Sequence, residues 1–215
     1  GRDLKARARA DDAQPGKIML EANDLYAKGD RGQNALDGIR LDVRCGEIVG
    51  IAGVAGNGQK ELFEALMGVR KVFSGSVVLD GEDVTNCTPR QMGRRGVGYI
   101  PDDRFREGLV PDFDITENII LGAHRTPDFA SSGFMKPTRS VAFARAMIEQ
   151  FQIATHSEAT RVATLSGGNA QKVIVAREFS QATKIILANQ PSRGLDVGVI
   201  EYMHDQILAK RKAGF

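Results

Sequence analysis

The chain has 215 residues, 29 basic against 27 acidic for a net charge of +2, and 42% hydrophobic content. This balance excludes a disordered chain and a strongly basic nucleic-acid binder. With Cys45 and Cys87 as the only cysteines, it also excludes a disulfide-held scaffold. Length allows one large domain or two small ones, with enough apolar content for a sizeable core.

Residues 1–15 are charged and Ala-rich, with Arg2, Lys5, Arg7 and Arg9, and lack the apolar stretch of a secretory signal. Residues 1–16 read as a linker or solvated tail. Residues 17–25 and 36–43 predict strands around the polar loop 28–34. Residues 47–52 form a continuous apolar run, which predicts a strand buried on both faces, as in a parallel sheet. The longest apolar run, residues 48–55, falls far short of the roughly 20 residues that span a bilayer. A soluble chain is expected, one that meets a membrane only through a partner.

A Gly-rich turn follows, then a predicted helix over 61–67, closed by Gly68. Residues 76–79 predict a strand entering a tight turn at Asp80-Gly81, and 97–100 another strand stopped by Pro101. From 116 to about 180 the spacing is helical. Val141, Ala144, Ile148 and Phe151 predict a core-facing helix, and 170–179 a second one. Residues 184–188 read as a buried strand and 199–212 as a last amphipathic helix. Strand, Gly loop, helix, helical middle, strand and helix together predict an α/β domain with a helical insertion.

Two glycine turns carry the chemistry. Gly53-Val-Ala-Gly56-Asn57-Gly58-Gln59-Lys60 has the glycine spacing of the phosphate loop G-x-x-x-x-G-K-[ST], between a strand and a helix. Glycines let backbone N–H groups converge on phosphate oxygens, and a helix N-terminus adds its dipole. But Gln59 stands in the Lys position and Lys60 in the Ser/Thr position. A one-residue shift turns a helical side chain by about 100°, so Lys60 is not expected to replace the lysine. The second turn is Leu165-Ser166-Gly167-Gly168-Asn169-Ala170-Gln171-Lys172, a hydroxyl and two glycines at a helix start.

At these residues the chain resembles the ATP-binding subunits of ABC transporters, whose LSGGQ signature has this form. The sugar and nucleoside importers commonly show LSGGN-x-QK. The run Ile185-Ile-Leu-Ala188-Asn189-Gln190-Pro191, followed by Gly194-Leu195-Asp196, resembles the family's apolar strand, Asp-Glu-Pro-Thr and Gly-Leu-Asp loop. Gly98-Tyr-Ile-Pro-Asp102-Asp103-Arg104 resembles the second ATP-binding half of tandem sugar- and nucleoside-type importers, with Asp102 where the family usually has a Gln near the metal. The resemblance covers residues 17–215. It implies a phosphate-loop NTPase-like ABC nucleotide-binding domain with an antiparallel β subdomain and a helical subdomain inserted at about 104–165. It also implies a further strand and a switch histidine beyond a helix like 199–215, so the sequence reads as one domain of a tandem chain, cut before its last elements.

The resemblance further implies ATP and Mg²⁺, a second nucleotide-binding domain in the same chain, transmembrane permease subunits and an extracytoplasmic solute-binding protein. The expected place is the cytoplasmic face of the membrane, peripherally, with no nucleic-acid partner. Within the implied site, Asn189 replaces the acid that orders Mg²⁺ and Gln190 the glutamate that polarises water. A neutral amide binds Mg²⁺ poorly and cannot accept a proton at neutral pH. With Gln59 these are three charge losses in one site, each commonly worth on the order of 10²–10³ in rate. The site is expected to be degenerate, while Ser166, Gly167, Gly168, Asn169 and Gln171 would complete the ATP site of a partner domain. Two alternatives stay open: a non-catalytic regulatory nucleotide-binding module, and a soluble ABC-type ATPase acting on DNA or ribosomes. Tyr26 is the only aromatic placed for adenine stacking, at long spacing from Ala35-Leu36. His124, His156 and His204 lack metal spacing and are expected at the surface.

Overall fold

The computed structural model describes residues 15–54 and 56–215. Of the expected linker, 1–16, all but the last two residues lie outside the described ones. The elements are β1 Ile18–Lys28, β2 Asn34–Arg44, α1 Gln59–Leu66, β3 Val72–Leu79, β4 Glu82–Asp83, α2 Pro89–Arg94 and β5 Val97–Ile100. They continue with a π-helical turn Arg104–Gly108, α3 Ile115–Ile120, β6 Ala130–Ser131, β7 Phe134–Met135, α4 Pro137–Gln150, α5 Gly167–Gln181, β8 Ile185–Ala188 and α6 Val197–Lys212. The chain divides into two compact units. One holds the residues up to Val97 with Thr183–Leu187 and His204–Phe215; the other holds Gly98–Ala182 and Ala188–Met203.

The first unit is built on an antiparallel sheet of order β2-β1-β3-β4. Alternation along β1 places Leu20 opposite Leu79 and Ala22 opposite Val77 on β3, and Ala22 opposite Leu41 on β2. Leu20, Leu25, Leu36, Val77 and Leu79 are fully buried and form the unit's core with Leu62 and Leu66 of α1. The ladder is bulged at Asp24, whose φ of 48° an aspartate tolerates better than most residues. The Asp24 carboxylate is held by the guanidinium fork of Arg40 at 2.7 and 2.8 Å. The expected turn forms at Asp80-Gly81, with φ of 52° and 81°, as a two-residue hairpin requires. Asn86, also at positive φ, accepts from Val72 N–H and donates to its carbonyl, so a side chain extends the ladder where no strand does.

Asp80 joins three segments of this unit, pairing with Lys17 before β1 and with Lys184 before β8 at 2.7 Å. Hydrogen bonding to Lys17, then to Lys184, holds its carboxyl down to about 2. An unfolded aspartate titrates near 3.9, so this contribution is complete above about pH 4 and is lost as pH falls through the folded value. Asp80→Asn is therefore expected to lower the urea midpoint at pH 7. The gap from wild type should close between pH 4 and pH 2. A gap unchanged at pH 2 means the pairs contribute nothing.

In the second unit, α5 packs on α3, α4 and the π-helical turn. Ile100, Ile115, Ile119, Val162, Ile174 and Met203 are fully buried. Asn118, completely buried on α3, has its amide satisfied: it accepts from Val110 N–H and donates to the Val110 and Asp114 carbonyls. Along α4, Ala144 is buried and Phe151 just beyond it, as the spacing predicts; Val141 and Ile148 are only half-buried, Met147 is buried, and Phe143 stacks edge-on against Phe129 at 5.1 Å.

One expectation fails outright. Residues 47–52 form no strand and are not buried on both faces; Ile48, Val49 and Ile51 are 49%, 37% and 44% exposed. Apolar content predicts burial only where a neighbouring strand supplies a ladder, and the described residues give this run none. His124 is also not a surface residue: it is half-buried, and its Nδ1 is enclosed without a partner among the described residues. His156 and His204 are exposed as expected, and both cysteines are free.

Candidate functional site: the glycine loop and the Ser-Gly-Gly helix start

The glycine loop ends on α1, whose N-cap is Gly58 at φ 91°. A Cβ there would lie 2.5 Å from the Ala35 carbonyl oxygen, so only glycine lets the loop pass β2 this closely. Gly56 shares the left-handed conformation at φ 92°, and Asn57 N–H closes a turn on the Val54 carbonyl at 3.3 Å. Gln59 does not point outward from the helix. Its Nε2 donates back to the Val54 carbonyl at 3.2 Å and lies 2.3 Å from where a Cβ on Gly53 would stand. Lys60 is turned away, 3.6 Å from Glu64 one helical turn on. Gly56 and Gly58 both take the left-handed backbone that the glycine spacing calls for, but no cation faces the turn from position 59 or 60. The turn lacks the charge that a lysine supplies.

The helix start lies in the other unit. Ser166 is exposed and caps α5: its Oγ accepts from Asn169 N–H at 3.4 Å and from the Asn169 side-chain amide at 3.1 Å. Asn169 in turn accepts from Ala154 N–H at 2.9 Å, which seats the helix start on the loop after α4. Gly167 and Gly168 follow at the helix opening, with the dipole's positive end. Gln171 is 3% exposed, and its amide nitrogen meets no partner among the described residues. It sits in the interior rather than at the opening. Lys172 donates to the Gln152 carbonyl at 2.8 Å and lies over the Tyr202 ring.

Asn189, buried after β8, donates its backbone N–H to the Ile100 carbonyl at 2.8 Å. Gln190 is exposed and left-handed at φ 47°, and its carbonyl accepts from Arg193 N–H at 3.0 Å. Asp102 is taken by the Arg193 guanidinium at 3.0 Å, so this carboxylate is engaged by a cation. Its neighbour Asp103 points elsewhere and caps the π-helical turn, accepting from Phe105 and Arg106 N–H. Asp196 caps α6 by accepting from Val199 N–H at 3.0 Å. Mg²⁺ prefers several oxygen ligands, charged ones first. Among the described residues no group of three or more His, Cys, Asp or Glu converges. Two amides and a carboxylate already paired with Arg193 do not fit a tightly held Mg²⁺.

Tyr26 lies on β1 with its hydroxyl close to Gly38, and its ring is 6.1 Å from Phe73 on β3. Arg104 stands in a motif visible in the sequence, but its two carbonyl partners, the part of Arg193 and the π-helical turn are visible only in the structure. A single five-residue turn of this kind leaves no periodic signal.

A sheet-supported glycine loop on one unit and a Ser-Gly-Gly helix start on the other are the parts of an ATP-binding cassette. Residues 36–193 match the ABC transporter family, and the chain belongs to it. It is 43% identical over 202 residues to the nucleoside import ATP-binding protein NupA of Lactococcus lactis subsp. cremoris, covering 94% of this chain and 40% of that protein. It is 41% identical over 214 residues to the guanosine import ATP-binding protein NupO of Bacillus subtilis, and covers 42% of it. It is 35% identical to the ribose import ATP-binding protein RbsA of Oceanobacillus iheyensis, covering 92% of this chain and 38% of that one. The chain thus spans about two fifths of the length of these relatives. Among solved structures, the ATP-binding cassette MJ1267 superposes with TM-score 0.76 at 22% identity, covering 93% of this chain and 79% of that one. The dimeric cassette MJ0796 superposes at 0.76 and 23%, covering 91% and 84%. The fold is that of an ABC ATPase cassette, a family that binds ATP with Mg²⁺. Among the described residues, no helix is long and apolar enough to cross a membrane.

Proposed function

We propose that the chain is one cassette of a tandem importer ATP-binding protein for nucleosides or simple sugars. It is the second and degenerate cassette, and its signature serves the ATP site of the other. The observation that carries this reading is an asymmetry. Gln59, Asn189 and Gln190 stand where a lysine and two acids would be needed, and Gln59 is folded onto its own loop. The Ser166-Gly167-Gly168 helix start is complete, capped and exposed at Ser166. The names of the relatives and their greater length support the solute class and the tandem arrangement. On this reading the domain works from the cytoplasmic face of the membrane with permease subunits, and indirectly with a solute-binding protein. It couples ATP binding and hydrolysis at the partner site to import.

In the full-length protein assembled with its membrane subunits, Ser166→Ala is expected to abolish ATPase while the protein stays folded. Loss of one cap is worth about 1 kcal/mol, too little to unfold it. Gln190→Glu alone is expected to change ATPase little, because the loop lysine and the metal acid remain missing. Intact ATPase in Ser166→Ala overturns the reading. The folded-back Gln59 also favours a non-catalytic regulatory module. The Ser166→Ala ATPase separates the two, since a regulatory module leaves it intact; turnover with Mg²⁺-dependent binding by this chain alone overturns the degenerate site and with it both readings.

A further inference from the structure

Arg104 occupies a position that neither glycine turn explains. It opens the π-helical turn, which Asp103 anchors from the preceding position. Its guanidinium splits between two main-chain acceptors. Nη1–H donates to the Gly167 carbonyl at 3.1 Å, and Nη2–H to the Arg193 carbonyl at 2.6 Å. The first carbonyl belongs to the opening residue of the signature helix. The second belongs to the loop that carries Gln190, whose carbonyl closes on Arg193 N–H. The same loop residue is gripped a second time, by Asp102 on the Arg193 side chain. Residues 102 and 104 thus hold Arg193 by its side chain and by its backbone. The approach is close: a Cβ on Gly167 would lie 2.7 Å from Arg104 Nη1, so any side chain there would displace the guanidinium.

We infer that Arg104 is a positioning residue for the reaction, fixing the start of the signature helix to the loop of Gln190. The inference rests on the reading that this signature serves a partner site. Two carbonyls on separate segments need a planar fork with divergent N–H groups, which arginine has and lysine lacks. The consequence is preorganisation. The donors at Ser166 and Gly168 hold one orientation before a nucleotide arrives, and a displacement on the order of 1 Å in such donors can cost about 100-fold in rate. The hydrogen-bonded path Gln190–Arg193–Arg104–Gly167 also makes the signature sensitive to that loop.

The test uses the full-length protein with its membrane subunits, comparing wild type with Arg104→Gln, Arg104→Lys, Arg193→Ala and Ser166→Ala. Arg104→Gln is expected to lower kcat for ATP by about tenfold or more with KM changed less than about twofold, the pattern for an interaction made chiefly in the transition state. Arg104→Lys is expected to rescue little, since one ammonium cannot fork. Arg193→Ala removes only the Asp102 pair, keeps the carbonyl that Arg104 holds, and is expected to cost less than Arg104→Gln. Amide hydrogen exchange at residues 168–170 should quicken in Arg104→Gln while exchange in α3 is unchanged. A merely structural role predicts faster exchange across both and a lowered Tm. If Ser166→Ala removes ATPase but Arg104→Gln leaves kcat and local exchange intact, the clamp is wrong and the partner-site reading stands. If Ser166→Ala is fully active, the partner-site reading falls first.

Discussion

Glu178→Ala is expected to destabilise the second unit by about 3–5 kcal/mol, the cost of leaving a buried ion without its counterion. Glu178 Oε1 accepts from Arg177 Nε at 2.7 Å, and Oε2 accepts from Tyr99 N–H at 2.9 Å. The side chains are only 9% and 16% exposed for Arg177 and Glu178. Arg177 Nη1 already lacks a partner among the described residues, so nothing else there replaces the lost carboxylate. The change also strips an acceptor from the main chain of β5, adding an unsatisfied N–H worth about 1–3 kcal/mol by itself. Glu178→Gln keeps an acceptor but loses the charge, and should fall about midway. Arg177→Met with Glu178→Gln should recover part of the loss, because the uncompensated charge is gone. Urea unfolding with an unchanged m-value measures all three. A midpoint for Glu178→Ala within error of wild type would show that the pair is solvated in solution.

Gly68→Ala should be comparably severe, on the order of 4 kcal/mol from backbone strain and overpacking together. Gly68 closes α1 in the left-handed region at φ 71°. A Cβ there would lie 1.6 Å from the Cys87 carbonyl oxygen and 2.8 Å from its carbon. Both are main-chain atoms, so no rotamer relieves the contact. Gly81 supplies the control. It is equally left-handed at φ 81°, but a Cβ there meets nothing within 4 Å. Gly81→Ala should therefore carry only the conformational cost, about 1 kcal/mol. Thermal melts of the two variants separate strain from collision. Equal losses would mean that the α1–Cys87 contact yields.

The elements legible in the sequence were those with a long local signal. β1, β2 and the second half of β3 are apolar-rich stretches bounded by polar or glycine turns, and α4 and α5 run for 14 and 15 residues, long enough for a helical pattern to register. The Asp80-Gly81 turn could be read from two residues because both must take positive φ. The short helices α2 and α3, six residues each, are too brief for periodicity to delimit: α2 has no signal of that kind, and α3 is lost within the broad helical stretch from 116. Their start signals were present as capping boxes, Thr88 with Gln91 and Asp114 with Glu117. The apolar run at 47–52 was misread because hydrophobicity reports a preference for burial, while a strand needs a partner whose identity is non-local. The same limit governed the site. Both glycine turns were visible as strings, and so was the displacement of Lys60. That Asp102 pairs with an arginine 91 residues away, and that Arg104 holds two carbonyls from distant segments, no local pattern contains.

The folded-back Gln59 has a consequence beyond lost chemistry. By donating to Val54 within its own loop, it supplies an internal bond where other phosphate loops wait for a nucleotide. The bond joins two ends of the loop with no nucleotide present. On the proposed reading, nucleotide turnover beside this cassette falls to the partner site alone, and the two halves of the assembly are unequal by sequence rather than by the nucleotide each happens to hold.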